Sequence, residues 1–180
     1  MRFVKKRAAP VRDPIHFATG GSALGTVLVA WSGCGICALL LGEDPELMAT
    51  ELRRRFAGTA CLQETTGNPE QLVQALRFLE SPHQECSFAL DPHGTAFQLR
   101  VWEALATVPA GTTTTYSELA EQLNVPGGAR AIAAACAANP VAVAIPCHRV
   151  IRRNGSLAGY RWGVERKAAL LAQESCVLAL

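Results

Sequence analysis

The sequence predicts an α/β chain of the α+β kind. A small antiparallel sheet with helices comes first, and a mainly helical part built on a helix-turn-helix follows. Three observations carry this. Short β-like apolar segments with glycine-containing turns occupy residues 15–41. Two helix starts marked by proline follow, at Asp44-Pro45 and Asn68-Pro69. Asp91-Pro92-His93-Gly94 then interrupts the chain, and the segments after it are helices with cap signals. The expected divisions are a flexible lead over 1–14, an N-terminal α/β domain over 15–91, a C-terminal domain over 92–175 and a tail over 176–180.

The totals fit this plan. With 180 residues, 49% hydrophobic and 18% charged, the chain can bury a real core and is not disordered. No apolar run reaches the ~18 residues that a membrane span needs. Residues 1–14 are basic but lack the apolar centre of a signal peptide, so a cytoplasmic protein is expected. The seven cysteines are an odd, scattered set, which argues against a disulfide framework. Cys34 and Cys37 form a lone CxxC with no second pair and only distant histidines, so no metal is expected there.

In chain order, β-like segments lie at 15–18 and 26–30, and a Ser32-Gly33 turn leads to a third at 36–41. Asp44 caps a helix running to about Phe56, on which Met48, Leu52 and Phe56 recur every four residues. Residues 58–67 read as loop. Asn68 repeats the start signal, with Gln71 placed to close a capping box, and Leu72, Leu76 and Leu79 line that helix until Ser81-Pro82 ends it. One more strand is expected at 87–90.

Beyond the break, Thr95 caps a helix with Phe97, Val101, Leu105 and Val108 on its apolar face. Thr115-Tyr116-Ser117-Glu118 has the form of a capping box, and its helix ends near Asn124. Pro126-Gly127-Gly128 turns the chain into a second helix over 129–138. That pairing makes a helix-turn-helix. Nine of the eleven residues from 128 to 138 are Gly, Ala or Cys, around Arg130 and Ile132. A helix that reads the major groove carries several long polar side chains. This one suits close approach to a narrow groove with one projecting residue, or else burial among neighbours. Cys136 reads as packing on it. After residue 147, a hairpin is expected from Val150-Ile151 through an Asn154-Gly155 turn to Leu157. The last helix, 164 to about 173, has Val164, Ala168 and Leu171 on one side and Glu174 at its end.

The chemistry concentrates at 139–150. An apolar run ends in Pro146, and Cys147, His148 and Arg149 follow. A cysteine is nucleophilic as the thiolate, and an adjacent base or cation favours that form. The alternative is an inert buried thiol. Residues 149–167 also gather Arg149, Arg152, Arg153, Arg161, Arg166 and Lys167 against Glu165 alone, which suits a polyanion or a solvated face.

Ile145-Pro146-Cys147-His148-Arg149-Val150, with Asn139-Pro140 before and Gly159-Tyr160-Arg161-Trp162-Gly163-Val164 after, resembles the O6-alkylguanine-DNA alkyltransferases. The resemblance covers 94–174 and extends more loosely over 24–42. The Arg161-Trp162 pair is similar to the alkyltransferase part of the bacterial adaptive-response regulator. The resemblance implies single-turnover repair, in which an alkyl group moves from guanine O6 in double-stranded DNA to Cys147, with O4-alkylthymine open as a second lesion. The base would be flipped out through the minor groove. By the same resemblance His148 deprotonates Cys147 through a water, Glu174 orients His148, Tyr116 protonates the leaving base and Asn139 ties the helix-turn-helix to the cysteine loop. Arg130 would fill the vacated stack, with Ala129, Ala131, Tyr116 and Arg149 also at the DNA. Val150, Tyr160, Arg161, Trp162 and Gly163 would form the base pocket, Trp162 either lining it or covering the last helix. No cofactor is implied. The expected species is a monomer, with cooperative assembly on DNA left open. A cysteine hydrolase and a damage-sensing fragment of a DNA-binding regulator are the rival readings.

Overall fold

The computed structural model describes residues 2–3, 14–57, 62–84, 86–157 and 159–177. It divides into two compact units, 1–93 and 94–180. Most of the lead expected over 1–14, and residues 178–180 of the expected tail, lie outside the described residues.

The first unit is built on a six-stranded sheet: β1 (Arg2–Phe3), β2 (Ile15–Ser22), β3 (Gly25–Ser32), β4 (Gly35–Gly42), β5 (Leu62–Glu64) and β6 (Ala89–Leu90), in the order β1-β6-β4-β3-β2-β5. The central β2-β3-β4 meander is antiparallel, as its short turns require. The outer strands pair in parallel, so the sheet is mixed and not purely antiparallel. Strand β2 also runs several residues beyond its expected apolar segment, because ladder bonds continue through Gly20, Gly21 and Ser22 whatever their hydropathy.

Helices α1 (Pro45–Arg55) and α2 (Glu70–Glu80) pack on this sheet. Asp44 caps α1 as expected, its carboxylate accepting from the amides of Glu46 and Leu47. The capping box expected at Asn68 does not form. Helix α2 begins at Glu70, so the cap position falls on Pro69, which has no acceptor side chain. Strand β5 occupies part of the stretch expected as loop, and residues 58–61 of that stretch lie outside the described residues. Strand β6 is shorter than expected and aligns with β4 and β1.

The second unit is mainly helical. Thr95 and Gln98 form a reciprocal capping box on α3 (Ala96–Leu105), which ends before Val108. Strand β7 (Thr114–Thr115) leads into α4 (Tyr116–Gln122), whose Thr115–Glu118 box forms as expected. Helix α5 (Ala129–Ala137) follows a turn in which Gly127 has φ +73° and a Cβ on Gly128 would meet Val125 at 2.5 Å. Helix α5 contacts both α3 and α4, and the Trp102 indole donates to the carbonyl of Ala135.

Strand β8 (Val150–Ile151) differs from expectation. Its partner is β7, in parallel, and not the segment at Leu157. The turn itself is present: Gly155 has φ +78° and its amide reaches the Arg152 carbonyl. Helix α6 (Val164–Val177) runs past Glu174 and through 176–177 of the expected tail. Its expected apolar face is rotated. Val164 and Ala168 are exposed, while Lys167, Leu170 and Glu174 are buried. Among the described residues no helix is long and apolar enough to cross a membrane.

Candidate active site

Cys147 opens a single 3-10 turn, Cys147–Arg149, between the apolar loop 140–146 and β8. All three side chains of the turn are buried. The loop before it is strained. Val143 has φ 63°, and the amide of Ala144 donates to the carbonyl of Ala142 across it, which is a γ-turn of the rare positive-φ hand. A β-branched residue there stores on the order of 1–3 kcal/mol and persists because neighbours over-determine it. Asn139 is one such neighbour, with no exposed surface. Its Oδ1 accepts from Val141 N at 2.9 Å, and its Nδ2 donates to the Ile145 carbonyl at 2.8 Å and to Cys147 Sγ at 3.2 Å. One amide thus ties the end of α5 to the loop and to the sulfur.

Behind the turn lies a buried charge cluster centred on Glu174. Its Oε1 is 2.9 Å from His148 Nε2 and accepts from Arg149 Nη2 at 2.7 Å. Its Oε2 accepts from Arg149 Nε at 3.0 Å and from the Gly111 amide at 3.3 Å. Arg149 Nη1 also donates to the Val108 carbonyl. Burial opposes ionisation of Glu174, but the hydrogen bonds and charges of His148 and Arg149 outweigh it and hold the carboxyl at about 2. Burial lowers His148 despite Glu174, so the imidazole is neutral at rest. Since Nε2 faces a carboxylate it carries the proton, which leaves Nδ1 as the basic atom.

The thiol faces the other way. Cys147, Tyr116, Cys136, Ala137, Tyr160 and Arg161 line one cavity of about 280 Å³. Burial pushes the Cys147 thiol up to about 11, against the opposing pull of the Asn139 hydrogen bond and the Lys167 and Arg161 charges. Burial pushes Tyr116 up to about 12, reinforced by the two neighbouring thiols and opposed by Arg152. At neutral pH the resting cavity holds protonated sulfur and protonated phenol. The arrangement offers a soft nucleophile, a neutral imidazole next to it in the chain and a neutral phenolic donor.

The structure thus pairs Cys147 with Asn139 and His148 with Glu174 on one turn and puts Tyr116, Tyr160 and Arg161 on the cavity. Val150 is buried and its carbonyl accepts from Lys167 Nζ. Trp162 is buried edge-on to Tyr160, with ring centroids 5.1 Å apart, and does not line the cavity. Gly163, at φ +97°, leads into α6. On α5, Arg130 and Ala131 are exposed and Ala129 is half-buried. Arg149 departs from expectation: its guanidinium is engaged by Glu174 and Val108 and buried, so it is committed to the interior and not to a phosphate.

Sequence reasoning missed Lys167, a fully buried lysine, and the place of Cys136 on the cavity. The spacing of Lys167 and Glu174, seven residues and two helical turns apart, put them on one face and could have flagged the first.

Comparison with known proteins points to one family. A family model described as 6-O-methylguanine DNA methyltransferase, DNA binding domain, matches residues 96–176. The methylated-DNA–protein-cysteine methyltransferase of Mycobacterium tuberculosis (strain H37Rv) is 51% identical over 160 residues, 89% of this chain and 92% of that protein. The bifunctional transcriptional activator/DNA repair enzyme Ada of Escherichia coli (strain K12) is 42% identical over 161 residues, 89% of this chain. The chain spans only 46% of Ada's length. Among solved structures, M. tuberculosis OGT in complex with DNA superposes with a TM-score of 0.74 at 34% identity, covering 89% of this chain and 93% of that one.

Proposed function

The chain belongs to the methylated-DNA–protein-cysteine methyltransferases, and from that premise we propose that it repairs DNA by moving an alkyl group from guanine O6 to Cys147. The observation that carries the reading is a buried thiol sharing one cavity with a phenol while its neighbouring imidazole is held by a buried carboxylate. In the proposed reaction His148 takes the thiol proton, and the rise of the Cys147 thiol explains why a base is needed. The sulfur attacks the alkyl carbon in line with the C–O6 bond. As S–C forms and C–O6 breaks, the electron pair passes into the guanine, which takes a proton from Tyr116. The high Tyr116 value keeps that proton in place until then.

The substrate is double-stranded DNA, bound through the minor groove, with the damaged nucleotide rotated out of the stack. Exposed Arg130 on the alanine surface of α5 supports insertion into the gap, with Ala129 and Ala131 against the backbone. Tyr160 and Arg161 line the base pocket, while Val150, Trp162 and Gly163 belong to the structure that supports it. The product is a thioether with no good leaving group, so each molecule acts once and needs no cofactor. We place a monomeric protein with its DNA in the cytoplasm.

Mixing the protein with duplex DNA containing O6-methylguanine, followed by intact mass and peptide mapping, tests the reading. One methyl per molecule on Cys147 is expected, with product never exceeding the protein present. Cys147→Ala abolishes transfer and retains affinity for the damaged duplex. Product continuing past one equivalent means a hydrolase, and undiminished transfer by Cys147→Ala removes the central claim.

A further inference from the structure

Two buried polar atoms find no hydrogen-bond partner among the described residues, His148 Nδ1 and the hydroxyl of Tyr160, which lines the cavity with Cys147. Their rings meet edge to face, with centroids 6.5 Å apart. Buried polar groups are almost always satisfied, and leaving one unmade costs about 1–3 kcal/mol. Two such orphans on rings in edge-to-face contact, one able to accept and the other to donate, can be satisfied together by an internal water. The thiol is the natural third partner. Among the described residues Cys147 Sγ accepts from Asn139 Nδ2, and no direct hydrogen bond joins it to His148.

We propose that the Tyr160 hydroxyl is a positioning residue for the thiol's deprotonation, holding the water that links Cys147 Sγ to His148 Nδ1. This rests on the alkyl-transfer reading and adds to it a role for a residue otherwise counted as pocket wall. The bookkeeping is simple. The water accepts the S–H proton and passes one of its own to Nδ1, so that a thiolate and an imidazolium replace a thiol and an imidazole. Glu174 takes up the imidazolium charge through Nε2–H. The Tyr160 O–H donates to the water oxygen throughout and neither gains nor loses a proton, which fits a phenol held well above its ordinary value by burial beside Cys147. Tyr116 and Tyr160 thereby have distinct tasks in one cavity, the first toward the leaving base and the second toward the nucleophile. The ring contact decides this division, since Tyr160 lies against His148.

The test compares Tyr160→Phe, His148→Ala and the double variant in two assays. Single-turnover transfer from O6-methylguanine DNA measures the reaction. The pH profile of Cys147 alkylation by iodoacetamide, without DNA, measures thiol acidity alone. Tyr160→Phe should slow transfer about tenfold and move the iodoacetamide profile to higher pH. In the His148→Ala background it should cost nothing further, because the water then leads nowhere. Incorporation of 3-fluorotyrosine at 160, which keeps the hydroxyl, should restore the rate. A wild-type rate in Tyr160→Phe, an unmoved pH profile, or losses that multiply in the double variant would each overturn the proposal. If the wild-type protein transfers no methyl group, the functional reading fails, while the iodoacetamide profiles still decide the relay.

Discussion

At the scale of single residues, Glu174 binds the site together. One carboxylate serves an imidazole, a guanidinium and a backbone amide. Its pKa lies far below the unfolded value of 4.5, at about 2. The unfolded chain therefore binds a proton at higher pH than the native one. The stabilisation is complete above pH 4.5 and disappears as the pH falls through the folded value. A shift of that size corresponds to about 3 kcal/mol. Glu174→Gln should lose roughly that much at neutral pH in urea unfolding and flatten the acid limb between about pH 4.5 and 2, because it leaves Arg149 buried without its charge partner. The pairing of Glu174 with Arg149 was not legible beforehand. Adjacency in the chain exposes Cys147 and His148 as partners, but nothing local says that Arg149 turns inward; that follows from the 3-10 turn, which sends successive side chains in different directions.

At the scale of elements, the cap signals were the most legible features and the helix phases the least. Asp44, Thr95 and Thr115 all cap where their side chains suggest, because a cap is decided by a few neighbouring atoms. Asn68 fails by one position, since Pro69 is itself compatible with the cap's extended backbone. The pairing of β8 with β7 joins residues more than 30 apart in the chain, so no local turn signal could report it. Helix α5 was legible through composition, because alanines and one arginine leave few alternatives. Arg130→Ala should slow repair of duplex DNA about tenfold while changing repair of a single strand or the free base little, as measured in single-turnover assays. Equal losses on all three would mean that the side chain does not fill the stack.

At the scale of the molecule, the formal charge of +2 arises wholly in residues 91–180, where eight basic side chains face six acidic ones; residues 1–90 carry nine of each. Affinity for DNA should therefore follow the second unit and fall linearly with salt on logarithmic axes, losing roughly tenfold or more between about 50 and 200 mM. Fluorescence anisotropy with matched and mismatched flanking sequences checks both the slope and the lack of sequence preference.

The buried face of α6 has a consequence for how uniquely the chain folds. An apolar helix face can slide by a turn on its neighbours and lose little, since one leucine fills a gap much as another does. Helix α6 instead buries a lysine and a glutamate, and each has one set of partners: the Val150 carbonyl for Lys167, and His148, Arg149 and Gly111 for Glu174. Any shifted docking would strand two charges out of water, at a cost of several kcal/mol. The reactive turn thus doubles as a key that admits α6 in a single seat.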